Sequence, residues 1–448
     1  MEKSIQEAVS PFAKNQRPVY VGILGLGTVG SGVVTVLTKN ADIIAARATK
    51  IQIVKVADRD TAKAEAVLKE AGLNSDILCS DWQDLVTDEN IDIMVEVTGG
   101  IDMPREAISA ALRSGKSVVT ANKDLIAAYG GELLTIAFEN GVDLFFEASV
   151  AGGIPVIQVM KESLAGNHIQ RMMGIVNGTT NYILTRMSED GMDFNEALKE
   201  AQALGYAEAN PKNDIEGYDA ARKVAILASI AFNSRVKDDM VSVEGITGIS
   251  SWDIKYAEEL GYVIKMLGLA SEDDGMIDAR VHPVMLPKSH PLASVRDSYN
   301  AVFVEGDALG KAMFYGRGAG SLPTGSAIVG DIISAARNIC AGISPRFSCT
   351  CYQEKPMRPL DDTYSKYYVR ISVYDRPGVF AAITGVLCEE GVSIDSVIQK
   401  RRLSAQEAEI VLITHAVRHA SLQRAVDTIA KLDCVVKVES IIRVEEGE

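Results

Sequence analysis

Six residues near the start of the chain, Gly25-Leu26-Gly27-Thr28-Val29-Gly30, constrain its fold more than any others. An apolar run, Val19 to Leu24, leads into them. An apolar-periodic stretch follows, and then a second strand-like run, IQIVKVADRD. A GxGxxG alone says little. Between a strand and a helix, with another strand to come, it is the turn of a dinucleotide-binding βαβ unit. Gly25 permits the tight turn, Gly27 lets a pyrophosphate approach the backbone, and Gly30 allows close helix–strand packing. The amides of Thr28 and Val29 then belong to a helix N-terminus, which attracts anions.

The second strand ends Val56-Ala57-Asp58-Arg59. An acid there accepts from an adenosine ribose and favours NAD, whereas an arginine there pairs with the 2′-phosphate of NADP. Both residues are present, so both cofactors stay open. The buried strand of IDIMVEVTGG puts Thr98 and Gly99 at the carboxyl end of the sheet, where open α/β sheets bind ligands. The strand KSVVTANK ends in Lys123, which is either catalytic or an ordinary solvated strand-end lysine. VDLFFEASVAGGIPVI is read as the strand that closes this domain. Its Glu147 and Gly152-Gly153 turn expose backbone carbonyls suited to a hard cation.

Farther on, Ala201 to Lys223 reads AQALGYAEANPKNDIEGYDAARK and gathers Glu208, Asp214, Glu216 and Asp219. Gly205, Pro211 and Gly217 make its first half an ordered loop. After Gly217 a helix sets Asp219 and Lys223 one turn apart, close enough for the carboxylate to orient the ammonium. Such a stretch can bind an amino group beside a proton-transfer lysine. A solvated acidic loop capping a core helix is the blander reading, and spacing alone favours it. Upstream, Asn177-Gly178-Thr179-Thr180 begins a helix, its hydroxyls serving as caps or as substrate contacts. Downstream, VSVEGITGI reads as strand, DIKYAEELGYVIKML as helix, and ARVHPVMLP and AVFVEGDA as strands. The segment MFYGRGAGSLPTGSAIVGDIISAARN joins a glycine-rich loop to a helix. That loop, with Gly318 in it, either covers nucleotide phosphates or links elements.

At about 150 residues per domain, 448 residues suggest two to four domains. A net charge of −15 argues against nucleic acid or an anionic membrane as partner. With no signal peptide and no apolar run of about 18 residues, a soluble cytoplasmic protein is expected. Of the six cysteines, Cys349 and Cys351 form a C-x-C with no second pair to complete a zinc site. All six read as reduced thiols. The five histidines show no ligand spacing, so lysines or carboxylates must carry any acid–base work.

Residues 1–17 read as a short helix or an arm. The polar, proline-containing stretch between Gly342 and Asp362 has no period and marks a linker. Beyond it the pattern is strand–helix–strand–strand–helix–strand, the ferredoxin-like βαββαβ order. The expected fold is therefore α/β. A Rossmann-like parallel sheet occupies 1–151, and an α+β substrate and dimerisation domain 152–341. The last helix of that domain, about 324–341, repacks on the first. A linker spans 342–364 and a ferredoxin-like module 365–448.

Together these pieces resemble homoserine dehydrogenase, in its monofunctional form with a C-terminal ACT domain. The resemblance runs from about Pro18 to Val444. It rests on GLGTVGSG, VVTANK, FEASVAGGIPVI, GIVNGTTNYIL, GYAEANPKNDIEGYDAARK and YGRGAGSLPTGSAIV. No aspartate kinase module is seen ahead of residue 18, so the two-enzyme fusion of some relatives is not expected. The resemblance implies NAD- or NADP-dependent interconversion of L-homoserine and L-aspartate 4-semialdehyde, within threonine, methionine and isoleucine biosynthesis. By it, Lys123 and Lys223 lie near the reacting oxygen and Asp219 orients Lys223. Glu208 and Asp214 meet the substrate's ammonium, with Gly178 and Thr180 as further contacts. Glu147, with the backbone carbonyls of Val150, Gly152 and Ile154, holds a monovalent cation, Na+ or K+. The turn Asp375-Arg376-Pro377-Gly378 takes an amino-acid effector, expected to be threonine, on the amides of Gly378 and Val379. A purely structural oligomerisation module is the alternative. A homodimer or homotetramer is implied.

Chemically, hydride transfer from C4 of homoserine needs a base for the hydroxyl proton. A lysine needs a lowered pKa to serve at neutral pH, which desolvation or a second cation supplies. Asp219 opposes that shift, so its role is orientation. A semialdehyde or amino-acid dehydrogenase relying on a cysteine is disfavoured, because residues 130–330 contain none. A nucleotide-sensing regulator without turnover is disfavoured by Lys123, Asp219 and Lys223.

Overall fold

The computed structural model describes residues 16–346, 349–399 and 406–446. The arm or helix read over 1–17 lies almost wholly outside them. The chain forms two compact units that do not follow its linear order. The first comprises 1–169, 225–238 and 306–354; the second comprises 170–224, 239–305 and 355–448.

The first unit is built on six strands: β1 (Val19–Leu24), β2 (Ile51–Ala57), β3 (Leu78–Cys79), β4 (Ile93–Glu96), β5 (Ser117–Thr120) and β6 (Leu144–Phe145). Their order is β3-β2-β1-β4-β5-β6, and every pairing is parallel. Burial on both faces explains the unbroken apolar runs. The helix Thr28–Lys39 packs on the sheet through Val33, Val34 and Leu37. The helix Ser321–Ala341 adds Ile328, Ile332 and Ala335 to the same core. Each large apolar side chain so buried contributes about 1.5–3 kcal/mol. The two helices touch at glycines: a Cβ on Gly32 would fall 2.0 Å from the Ser321 carbonyl oxygen.

The closing strand is far shorter than its sequence suggests. Only Leu144–Phe145 pair with β5, and Glu147–Ser149 turn into a short 3-10 segment. Apolarity in VDLFFEASVAGGIPVI reports burial, not strand length. Ala151 (φ 55°) and Gly152 (φ 54°) then reverse the chain.

The second unit holds β7 (Ile169–Ile175), β8 (Ser242–Val243), β9 (Tyr262–Asp273), β10 (Met276–Pro287) and β11 (Tyr299–Gly306). β12 (Gly310–Arg317), a strand where Met313 to Arg317 is expected to open a glycine-rich loop, belongs to the first unit. β9 and β10 pair antiparallel along their whole length across Asp274-Gly275, both left-handed, as a tight hairpin turn requires. This corrects the helix expected over DIKYAEELGYVIKML. The helix is Ser251–Glu259, Gly261 (φ 84°) ends it, and Tyr-Val-Ile-Lys-Met-Leu is strand. Helical spacing continued through those residues, but pairing with β10 overrode it.

The C-terminal module shows the βαββαβ order: β13 (Tyr364–Tyr374), helix Val379–Glu389, β14 (Ile394–Ile398), β15 (Glu407–Thr414), helix His419–Ile429 and β17 (Val435–Val444). A two-residue β16 (Val417–Arg418) adds to β13. Val284 and Met285 of β10 pair with Arg443 and Val444 of β17, giving the order β11-β7-β9-β10-β17-β13-β15-β14. A buried charge cluster ties the module to the helix Ser251–Glu259. Arg370 reaches Asp253 at 2.8 Å and Glu409 at 2.9 Å, while Tyr256 donates to Glu409 at 2.8 Å. Among the described residues no helix is long and apolar enough to cross a membrane.

Candidate functional site

The glycine turn after β1 has the geometry its spacing asks for. Gly25 is left-handed (φ 98°) and donates to the Ala57 carbonyl at 2.9 Å. A Cβ on Gly30 would fall 2.2 Å from the Gly25 carbonyl oxygen, whereas one on Gly27 would meet nothing within 4 Å. Gly25 and Gly30 thus satisfy the protein's own packing, and the space at Gly27 is free for a ligand. No side chain caps the helix that Thr28 and Val29 begin, an arrangement that suits an anion at its first amides. These residues fit a dinucleotide. Asp58 accepts from Leu26 N at 2.5 Å and Asp60 N at 2.8 Å, bracing the turn from β2, and Arg59 beside it is exposed.

At the carboxyl ends of β4 and β5 a fully buried carboxylate organises the next two turns. Glu96 accepts from Thr98 N at 2.8 Å, Thr98 Oγ1 at 2.7 Å and Gly99 N at 3.3 Å, and also from Thr120 Oγ1 at 2.7 Å. The Asn122 side chain donates to Gly100 O at 2.7 Å and accepts from Leu125 N at 3.1 Å. Lys123 is the first residue of the helix that Asn122 caps, partly exposed at this same rim.

Both carboxylate oxygens of Glu147 are occupied. They accept from Val156 N at 2.6 Å, Ile157 N at 2.7 Å and Gln158 N at 2.7 Å. This carboxylate therefore braces the backbone that follows the segment through Val150, Gly152 and Ile154. Gly318 packs against the turn: a Cβ on Gly152 would fall 2.3 Å from the Gly318 carbonyl oxygen, and Gly153 N donates to Arg317 O at 3.1 Å. Asp331 accepts from Glu147 N at 2.8 Å, and burial pushes its carboxyl well above the usual range.

In the second unit the residues of GYAEANPKNDIEGYDAARK close on a single asparagine. Gly217 (φ 88°) separates the short helix Lys212–Ile215 from the helix Tyr218–Ala231. Lys223 Nζ donates to Asp219 Oδ2 and to Val176 O, each at 2.7 Å. Asn177 Nδ2 donates to Asp214 Oδ1 at 2.7 Å and to Asp219 Oδ2 at 2.8 Å. Its Oδ1 accepts from Thr180 N at 2.9 Å, capping the helix Gly178–Glu189. Two carboxylates and a helix cap thus share one carboxamide, and the ammonium joins them through Asp219; Asn177 and Asp219 are buried, Asp214 and Lys223 partly so.

Of the other residues singled out in this unit, Thr180 is buried and its hydroxyl also bonds Asn177, so it serves the cap. Gly178 begins the helix where a Cβ would come 2.8 Å from Ser298 O. Glu208 is exposed, its carbonyl held by Gln202 at 3.0 Å. The loop around it is fixed by Thr179 Oγ1, which donates to Tyr206 O at 2.6 Å, and by the Tyr206 ring, which packs at a tilt against Tyr182. In the C-terminal module Asp375 and Gly378 are exposed, and Gly378 (φ 92°) begins the helix Val379–Glu389 with no side-chain cap.

Asn177 and Glu96 carry these arrangements, and neither stood out as a functional residue in the sequence. An asparagine before Gly-Thr-Thr is a visible cap signal, but its second pair of bonds reaches 37 and 42 residues along the chain. Glu96 was legible only as an acid inside an otherwise apolar strand.

Residues 155–333 match the family model described as homoserine dehydrogenase, and 25–147 the model described as homoserine dehydrogenase, NAD binding domain. Residues 367–434 match the ACT domain model. The chain is 43% identical over 431 residues to a homoserine dehydrogenase of Bacillus subtilis (strain 168), covering 96% of this chain and 99% of that one. It is 44% identical over 434 residues to one of Corynebacterium glutamicum, covering 95% and 96%. A crystal structure of a homoserine dehydrogenase from Thiobacillus denitrificans superposes with a TM-score of 0.90 at 43% identity, covering 96% of this chain and 99% of that one. A hyperthermophilic archaeal homoserine dehydrogenase in complex with NADPH gives 0.61 at 31% identity, covering 71% and 98%.

Proposed function

The chain belongs to the homoserine dehydrogenase family, an NAD(P)-dependent oxidoreductase with a C-terminal ACT domain, and from that premise we propose how its residues divide the work. The reaction is the interconversion of L-homoserine and L-aspartate 4-semialdehyde. The observation that carries the reading is the Asn177 hub, which joins Asp214 to Asp219 while Asp219 in turn accepts from Lys223.

A bound nicotinamide dinucleotide supplies the hydride acceptor or donor. Lys223 takes or returns the proton of the C4 hydroxyl. Asp219 and the Val176 carbonyl aim its ammonium. Asp214 and Glu208 receive the substrate's ammonium, and Lys123 is the second lysine near the reacting oxygen. The amides of Thr28 and Val29 take the pyrophosphate, Asp58 the ribose and Arg59 a 2′-phosphate, so NADP is accepted as well as NAD. The archaeal relative's NADPH complex supports that reading. A monovalent cation, Na+ or K+, is held by the carbonyls of Glu147, Val150, Gly152 and Ile154. Threonine binds at Asp375, Gly378 and Val379 and inhibits. The enzyme works in the cytoplasm as a homodimer or homotetramer, on the path to threonine, methionine and isoleucine.

The test is direct. Purified protein with L-aspartate 4-semialdehyde should consume the near-ultraviolet absorbance of NADPH or NADH. Absence of consumption with both cofactors, and of formation with homoserine and NADP+ or NAD+, would overturn the assignment.

A further inference from the structure

The segment after the helix Ser321–Ala341 returns two thiols to the first unit, and the dehydrogenase reading uses neither. Cys349 and Cys351, both partly exposed, line a cavity of about 30 Å3 together with Phe146, Lys161, Ser229 and Arg235. Arg235 Nη2 lies 3.2 Å from Cys349 Sγ. Its guanidinium is laid across the helix Lys123–Glu139 where that helix has no side chains: a Cβ on Gly131 would fall 2.3 Å from Nη2. The glycine makes room for the cation that faces the thiol. Cys351 Sγ donates to the Ser229 carbonyl at 3.6 Å, and the two thiols are within hydrogen-bond reach of each other.

The groups facing Cys349 are therefore the Cys351 thiol, Arg235 and Lys161; Lys161 also interacts with Asp331 and Glu147. Hydrogen bonding from Cys351 comes first and, with the two cations, brings the Cys349 thiol down to about 5 against the opposing effect of burial. The same pairing pushes Cys351 up. Two cations beside two sulfurs disfavour a bound metal ion and favour a thiolate.

We propose that Cys349 and Cys351 form an oxidant-modified thiol pair, with Cys349 as the attacking thiolate, Cys351 as the resolving thiol and hydroperoxides as the substrate class. The Cys349 thiolate attacks one oxygen of the hydroperoxide. The S–O bond forms, the O–O bond breaks, and the departing oxygen takes a proton and leaves as an alcohol or water. The Cys351 sulfur then displaces the sulfenic oxygen, the S–S bond forms, and the oxygen leaves as water carrying the Cys351 proton. The hydroperoxide is the two-electron oxidant. Residues two apart lie at most about 7 Å from each other at Cα, the upper limit of what a disulfide spans, so any adjustment on closure is confined to the backbone between them.

Full-length protein treated with hydrogen peroxide, alkylated and digested should yield a peptide containing both cysteines that has lost two hydrogens. Cys351→Ser should instead accumulate a sulfenic acid at Cys349 that dimedone traps. Iodoacetamide alkylation of Cys349 in the folded protein should be nearly constant from about pH 6 to about pH 8. At about pH 6 it should run about tenfold faster than alkylation of the same cysteine in the urea-unfolded chain, whose rate climbs with pH. Arg235→Gln should slow it at the acidic end. The proposal fails if both thiols stay free after peroxide, or if the folded and unfolded rates follow one pH curve. These readouts on the unsubstituted protein stand even if Arg235→Gln does not fold.

Discussion

Lys223 Nζ lies 2.7 Å from Asp219 Oδ2, one helical turn back, and 2.7 Å from the carbonyl oxygen of Val176, 47 residues away. The first contact is local; the second fixes where in space the ammonium points. A lysine held by two acceptors has little rotational freedom left, which is what a proton-transfer group needs.

Lys223→Ala and Lys123→Ala should each lower turnover by about 10²–10⁴-fold while dinucleotide affinity stays near its original value. Steady-state kinetics with a fluorescence titration of NADPH separates the two. Asp214→Ala should raise the KM for homoserine steeply with less effect on kcat. Near-normal turnover in both lysine variants would remove them from the chemistry.

Asn177 bridges Asp214 and Asp219 and caps a helix. Asn177→Ala should cost about 1 kcal/mol for the lost cap. It should also lower kcat/KM at least tenfold, because two carboxylates lose their shared donor. Denaturant unfolding measures the first effect and initial rates the second. Stability loss with intact kcat/KM would leave Asn177 a cap only.

Arg370 is buried between Asp253 and Glu409 and also donates to Ser250 Oγ at 3.0 Å. Arg370→Ala leaves two buried carboxylates without their cation and should destabilise the protein by about 3–5 kcal/mol. Urea unfolding followed by circular dichroism is the measurement, and a loss under about 1 kcal/mol would show that the cluster relaxes or takes up water.

Lys265, on β9, donates to Asn181 Oδ1 at 3.0 Å and Val295 O at 2.6 Å, and burial pushes it down to about 8 from an ordinary 10.5. Between those values the unfolded chain holds the proton that the folded chain has released. Stability from this group therefore rises with pH across that window and is lost as pH falls through about 8. Relative to Lys265→Met, the unsubstituted protein should gain about 1 kcal/mol per pH unit between about pH 8 and about pH 10. A pH-independent difference would mean that Lys265 titrates alike in both states.

Threonine should inhibit turnover and raise the melting temperature, and Gly378→Val should abolish both effects while leaving uninhibited turnover close to normal. The added side chain meets a left-handed backbone at the head of the helix Val379–Glu389. Inhibition that persists in this variant would place the effector elsewhere.

Legibility followed the range of the interactions. GLGTVG and the i, i+4 pair Asp219–Lys223 depend on neighbours a few residues away, and each could be read directly. Helix and strand were confused where local preference was weak. Tyr262 to Leu267 continued a helical spacing, yet β9 forms because β10 lies ready to pair with it. The run after Val142 looked like a long strand because its residues are buried, and burial there comes from a turn packed under Arg317 and Gly318.

By itself the sequence determined the element types flanking the nucleotide turn, the βαββαβ module and the identities of the acids and lysines, because spacing and residue chemistry are local properties. Only the tertiary structure decided that Glu96 organises two turns at the sheet's carboxyl end, that Asn177 gathers Asp214 and Asp219, and that Arg235 faces Cys349 across Gly131. Each of those depends on bringing together residues far apart in the chain, and no short-range pattern encodes which distant partner a buried polar group will find.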